Sequence, residues 1–186
     1  CPAPEPKLPP MPLPRWCYFY LTAFLTDASL FMITLAAPQV ALARFDSPAT
    51  QLGLLGTLAG LGYSVLALMG GWTSDRIDRR LLPRISTAAQ ALCLLAIPFT
   101  PGFGSFLALN ILYMAVVGLF WAPLMGLLSV VTPRAELSRV LGRYNLSWCS
   151  GGLTGAFAAG ELLERVGPGA PFVAAGLLAL VSMVIL

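Results

Sequence analysis

"LLGTLAGLGYSVLALMGGWTSDRIDRR", residues 54–80, joins two chemistries in 27 residues. Leu54–Gly71 carries no charge, whereas the last seven positions hold Asp75, Arg76, Asp78, Arg79 and Arg80. As a helix, an apolar run of about 20 residues crosses a hydrocarbon core of about 30 Å. A transmembrane β-strand would instead alternate apolar and polar residues over about 10 positions, and Leu54–Gly71 does not alternate. The stretch therefore reads as a membrane helix running into a charged turn.

The rest of the chain has the same character. Of its 186 residues 58% are hydrophobic and 10% charged, against about 25% charged in an ordinary soluble domain. Long apolar runs recur at approximately 17–41, 51–71, 82–100, 104–130, 138–162 and 168–186. The expected fold is an all-α membrane protein, a six-transmembrane-helix bundle over residues 17–186, preceded by a Pro-rich tail over residues 1–16. Seven prolines in "CPAPEPKLPPMPLP" rule out a helix interior there and favour an extended linker. Connections are short and marked by "FDSP" at 45–48, "FTPGFG" at 99–104, "VTPRAELS" at 131–138 and "RVGPGAP" at 165–171, all rich in residues that stop helices. Thr132, Pro133 and Glu136, with Ser138 as the other cap, mark an expected start for the fifth helix.

Lys and Arg in short loops are retained on the cytoplasmic side. Lys7 and Arg15, then Arg76, Arg79, Arg80 and Arg84, then Arg134, Arg139 and Arg143 fall on one side, and only Arg44 and Arg165 on the other. Nine against two places both termini in the cytoplasm, with a bacterial plasma (inner) membrane as the expected location. Cys1 is then either the first residue of a fragment lacking its initiator segment or a lipidated residue, and lipidation would need the opposite orientation. The remaining cysteines, Cys17, Cys93 and Cys149, form no CxxC pair, and without histidine no Cys/His zinc site is expected. No P-loop, GxSxG or paired buried carboxylates occur, so neither an enzyme nor an ATP-driven pump is expected. No cofactor, metal or nucleic acid is called for.

Asp27 lies about ten residues into the first span, near mid-bilayer, where an ionised side chain costs about 3 kcal/mol on insertion scales unless a cavity or partner receives it. It is the candidate proton or cation site, unless the span begins further along and leaves it near the surface. Pro38 and Pro123 interrupt the first and fourth spans.

The charged turn resembles the loop signature of the major facilitator superfamily, G-x-L-[SA]-D-R-x-G-R-R, through Gly71, Ser74, Asp75, Arg76, Arg79 and Arg80; Thr73 stands for the leucine and Asp78 for the second glycine. In that family the loop latches one conformation of alternating access. The resemblance assigns this role to Asp75, with Gly71 allowing close helix approach and Arg76, Arg79 and Arg80 as partners or anionic-lipid contacts. A second likeness lies in "GRYNLSWCSGGLTGAFAAG". Gly142, Gly151, Gly155 and Gly160 follow the superfamily's antiporter signature G-x8-G-x3-G-P-x2-G-G, with Ala156 and Ala159 at the proline and penultimate glycine, and form a small-residue stripe suited to close packing. The resemblance implies the N-terminal half of a secondary transporter, two inverted three-helix repeats, partnered by lipids, a small-molecule substrate and a second six-helix bundle. That bundle would be a C-terminal half, an identical chain or another membrane subunit. Gln39, Tyr63, Asn110, Tyr113, Trp121, Asn145 and Trp148 are expected to line the central cavity and to suit a lipophilic or amphipathic solute, moved by proton-coupled antiport or efflux. No basic residue occurs in "LALNILYMAVVGLFWAPLMG", where many proton-coupled members carry one. The alternatives are a non-transporting membrane subunit or assembly factor, or a half-size transporter acting as a dimer.

Overall fold

The computed structural model describes residues 15–74, 76 and 81–186. Six helices follow one another: α1 Arg15–Phe45, α2 Ala49–Ser74, α3 Leu81–Ala96, α4 Phe103–Val131, α5 Leu137–Arg165 and α6 Ala170–Ile185, with a 3-10 turn at Ile97–Phe99 after α3. Four of them, among the described residues, are long and apolar enough to cross a membrane: Trp16–Phe45, Ala49–Thr73, Leu81–Phe99 and Phe103–Val131. α6 is apolar but spans 16 residues. α5 has 29 residues but is the more polar helix, with Arg139, Arg143, Asn145, Ser147 and Ser150 in its first half.

Local sequence explains the ends. After α1 the chain turns through Asp46, whose φ of 49° is left-handed, a conformation that Asp tolerates better than most side chains. Pro48 then accepts the first amide bonds of α2, from Gln51 and Leu52. α5 closes at Gly167, which has φ 128° and donates its N–H to the Leu162 carbonyl at 3.0 Å; a side chain there would be strained. The α4–α5 connection differs from the expectation. Thr132 finishes α4, its hydroxyl donating to the Leu128 carbonyl at 2.6 Å, and Glu136 precedes α5 without a side-chain cap. The hydroxyl finds an orphan carbonyl within its own helix end and has no reason to reach forward.

α1 is the hub. It packs most extensively on α5 and then on α6, while α4 packs most extensively on α2 and then on α3, and α3 meets α6. Exchanging α1, α2 and α3 for α4, α5 and α6 maps this set of pairings onto itself, the pattern of two three-helix repeats. Small residues make the two largest contacts possible. A Cβ on Gly151 would strike the backbone of Phe24, and one on Gly155 that of Ala28, on α1. A Cβ on Gly118 of α4 would lie 2.5 Å from the Tyr63 carbonyl oxygen and 2.8 Å from the Ala67 nitrogen of α2. Such close approach supplies packing and hydrogen bonding where lipid offers no hydrophobic driving force. Hydroxyls cross the interfaces as well: Ser147 donates to the Tyr20 carbonyl at 2.6 Å, Ser29 to that of Ala175 at 3.3 Å, and Ser86 to that of Val116 at 2.7 Å.

Large apolar side chains cover the outside. Leu61, Val65 and Leu68 of α2, and Leu146, Leu153 and Phe157 of α5, are exposed. Within the span windows, 61% of α1 is buried inside the bundle against 11% of α2, so α2 lies at an edge and α1 at the centre.

Candidate functional site

The α1–α5 crossing positions the one buried carboxylate among the described residues. Phe24 and Ala28 sit against Gly151 and Gly155, which places Asp27 against Gly152, where a Cβ would lie 2.8 Å from Asp27 Oδ2 and 3.0 Å from the Phe31 ring. Asp27 is 2% exposed, and its Oδ2 has no hydrogen-bond partner among the described residues. At 1.5 Å per residue it stands about 18 Å along α1, inside the Trp16–Phe45 span.

Asp27 opens on a pocket of about 370 Å³ between four helices. α1 contributes Asp27, Leu30 and Phe31, α2 Tyr63, α4 Trp121 and Met125, and α5 Tyr144, Asn145 and Trp148. The close α2–α4 contact at Gly118 seats Tyr63 beside α4. Trp121 and Trp148 meet edge to face, with centroids 6.5 Å apart, and Phe120 backs Trp121 at 5.1 Å. Trp148 Nε1 donates to Asn145 Oδ1 at 3.1 Å, which fixes both side chains on adjacent turns of α5. The Tyr144 hydroxyl is buried and lacks a partner among the described residues. The volume falls within the range of small-molecule pockets, about 300–1,000 Å³. Among the described residues the lining combines apolar walls, aromatic faces and one acid, with no basic side chain.

Five of the residues singled out in the sequence converge here: Asp27, Tyr63, Trp121, Asn145 and Trp148. The structure places the others elsewhere. Tyr113 is fully buried, its hydroxyl 3.4 Å from Ser29 Oγ, because its position on α4 faces α1. Asn110 lines a separate 190 Å³ pocket with Ile33, Pro38, Gly56 and Met114 and donates its amide to the Phe106 carbonyl at 2.8 Å. Gln39 is exposed and lines neither. Of the glycine stripe, Gly151 and Gly155 meet α1, while a Cβ on Gly142 or Gly160 would have nothing within 4 Å; the stripe outruns the crossing.

Tyr144, Met125 and Gly152 were not singled out. Tyr144 precedes Trp148 by four positions, hence shares its helix face, but a tyrosine at that spacing reads equally as packing. At the end of α2, a Cβ on Gly70 would lie 3.4 Å from the Gly118 oxygen of α4, whereas one on Gly71 would have nothing within 4 Å. Arg76 donates its backbone N–H to the Thr73 carbonyl at 3.0 Å and holds its guanidinium 3.9 Å from the Trp72 ring centroid. Asp75, Arg79 and Arg80, the core of the expected latch, lie outside the described residues.

A six-helix membrane bundle with a carboxylate-bearing aromatic pocket among α1, α2, α4 and α5 defines an integral, multi-pass membrane protein. The sequence model of the Major Facilitator Superfamily matches residues 19–186, so the chain belongs to that superfamily of transporters. Among curated proteins, none matches the chain.

Proposed function

We propose that the chain is the N-terminal half of a secondary transporter that moves a small lipophilic or amphipathic solute by alternating access, coupled to protons through Asp27 and operating as an efflux antiporter of a bacterial inner membrane. One observation carries the reading: a carboxylate 2% exposed, its Oδ2 unpartnered among the described residues, beside a 370 Å³ aromatic pocket. A buried ionised group is costly without a partner, and binding and releasing a proton at this site gives it a way to alternate between states. The exposed apolar faces of α2 and α5 are where a second six-helix bundle would close the pocket. In this reading Asp75 and its arginines latch the cytoplasmic end, beyond Gly70 and Gly71.

The test is proton flux. Proteoliposomes of the full-length protein carrying an imposed pH gradient are challenged with a panel of lipophilic and amphipathic solutes, and lumenal pH is followed by a fluorescent dye. At least one solute dissipates the gradient with wild type, and none does so with Asp27→Asn at equal protein incorporation. Equal dissipation by the variant, or none above protein-free liposomes with any solute, overturns the proposal.

A further inference from the structure

We infer that the solute is a monovalent organic cation, a quaternary or phosphonium centre or a protonated amine carrying aromatic or alkyl groups. This deepens the transport reading and rests on it. The charge balance of the pocket is the first reason. Among the described residues Asp27 is the only charged lining residue, and the groups that face it from neighbouring helices within electrostatic reach are the phenols of Tyr63, Tyr113 and Tyr144. The next cation along α5, Arg143, is exposed and lies nine residues before Gly152, about 14 Å along the axis. An anion would meet bare carboxylate without a counter-ion.

The walls are the second reason. Tyr63, Trp121, Tyr144 and Trp148 come from three helices and surround the space next to Asp27. Aromatic faces attract cations, Trp best of all, and the attraction strengthens when water is excluded; cages of this composition recognise quaternary ammonium groups. The edge-to-face geometry of Trp121 and Trp148, centroids 6.5 Å apart, sets the two rings at 63° so that they form two walls and not one flat stack.

The poverty of hydrogen bonding is the third. Asn145 Oδ1 is already engaged by Trp148 Nε1, so the side-chain oxygens left to accept from a solute are the Asp27 carboxylate and the two phenols of Tyr63 and Tyr144. A polyol or sugar would bring more hydroxyl donors than these few acceptors can receive, whereas a cation with an apolar body needs one counter-charge and soft walls. Proton and cation then compete for one carboxylate, which exchanges the two across the membrane without a second acidic site.

The probes are tetraphenylphosphonium and tetraphenylborate, matched in shape and opposite in charge, applied separately by equilibrium dialysis to the full-length protein in nanodiscs, with empty nanodiscs as background. Wild type is expected to bind the phosphonium saturably and at least tenfold more tightly than the borate, a factor equal to about 1.4 kcal/mol. Asp27→Asn should erase that preference and Asp27→Glu retain it. Trp148→Leu should weaken phosphonium binding several-fold and keeps the test open where Asp27→Asn fails to fold. Equal or tighter binding of the borate, or a phosphonium affinity unchanged by both Asp27→Asn and Trp148→Leu, overturns the inference. Asp27-dependent proton flux without phosphonium binding would refute the cation and leave transport standing. Charge-selective binding without flux for any solute would do the reverse.

Discussion

At the scale of single residues, Gly152 shows how a site depends on an atom that is missing. A methyl group there would stand 2.8 Å from Asp27 Oδ2 and 3.0 Å from the Phe31 ring, inside ordinary contact. Gly152→Ala is therefore expected to leave expression near wild type while displacing the carboxylate and lowering Asp27-dependent flux by roughly tenfold, since displacement of a functional group by about 1 Å is enough for such losses. Unchanged flux in proteoliposomes would show that the carboxylate has room to move. Asp27 was legible in the sequence because a charge within an oily span is conspicuous. Gly152 was not, because the absence of a side chain acquires meaning only when the neighbour across the interface is known. Tyr144 was visible as an aromatic one turn before Trp148, yet nothing in the sequence separates a pocket wall from a packing residue.

At the scale of elements, α5 carries the sharpest contrast. Its glycine spacing announced a smooth stripe, but a stripe gives no partner and no crossing point. The structure puts the crossing at Gly151 and Gly155, against the α1 backbone at Phe24 and Ala28, and leaves Gly142 and Gly160 clear of it. Gly155→Leu is expected to destabilise by at least the cost of overpacking, about 1–3 kcal/mol, and to lower the Tm by roughly 2–12 °C at about 2–4 °C per kcal/mol for a chain of this size. Gly160→Leu should shift it by less than about 2 °C. Thermal unfolding of the purified variants decides, and equal shifts would contradict the assigned crossing. The six helices themselves were legible from apolar runs, with ends within a few residues of the expected spans. Of the two starts the sequence offered for α5, Thr132 was the misleading one, because it looks the same whether it closes one helix or opens the next. The polarity of α5 also has a physical cause, since the helix lends Asn145 and Trp148 to a pocket while holding Arg139 and Arg143 near its start.

At the scale of the whole molecule, the pairings α1–α5 and α2–α4 are counterparts under exchange of the two three-helix repeats, and they create the Asp27 pocket among α1, α2, α4 and α5 with α3 and α6 behind. The chain order of apolar runs foretold the helices but not these pairings, which depend on contacts far apart in sequence. The charge bias predicts the orientation: single cysteines at 134 and 165, in a cysteine-free background, should be labelled from opposite sides of the membrane, with 134 cytoplasmic. Labelling of both from one side would reverse or break the topology. Alternating access itself is tested most directly at the pocket. With Asn145→Cys in the same background, a membrane-impermeant maleimide applied from either side should react on both, and Asp75→Asn should shift the ratio of the two rates. Labelling from one side only, with a ratio unmoved by Asp75→Asn, would contradict a pocket that opens alternately and a loop that latches it.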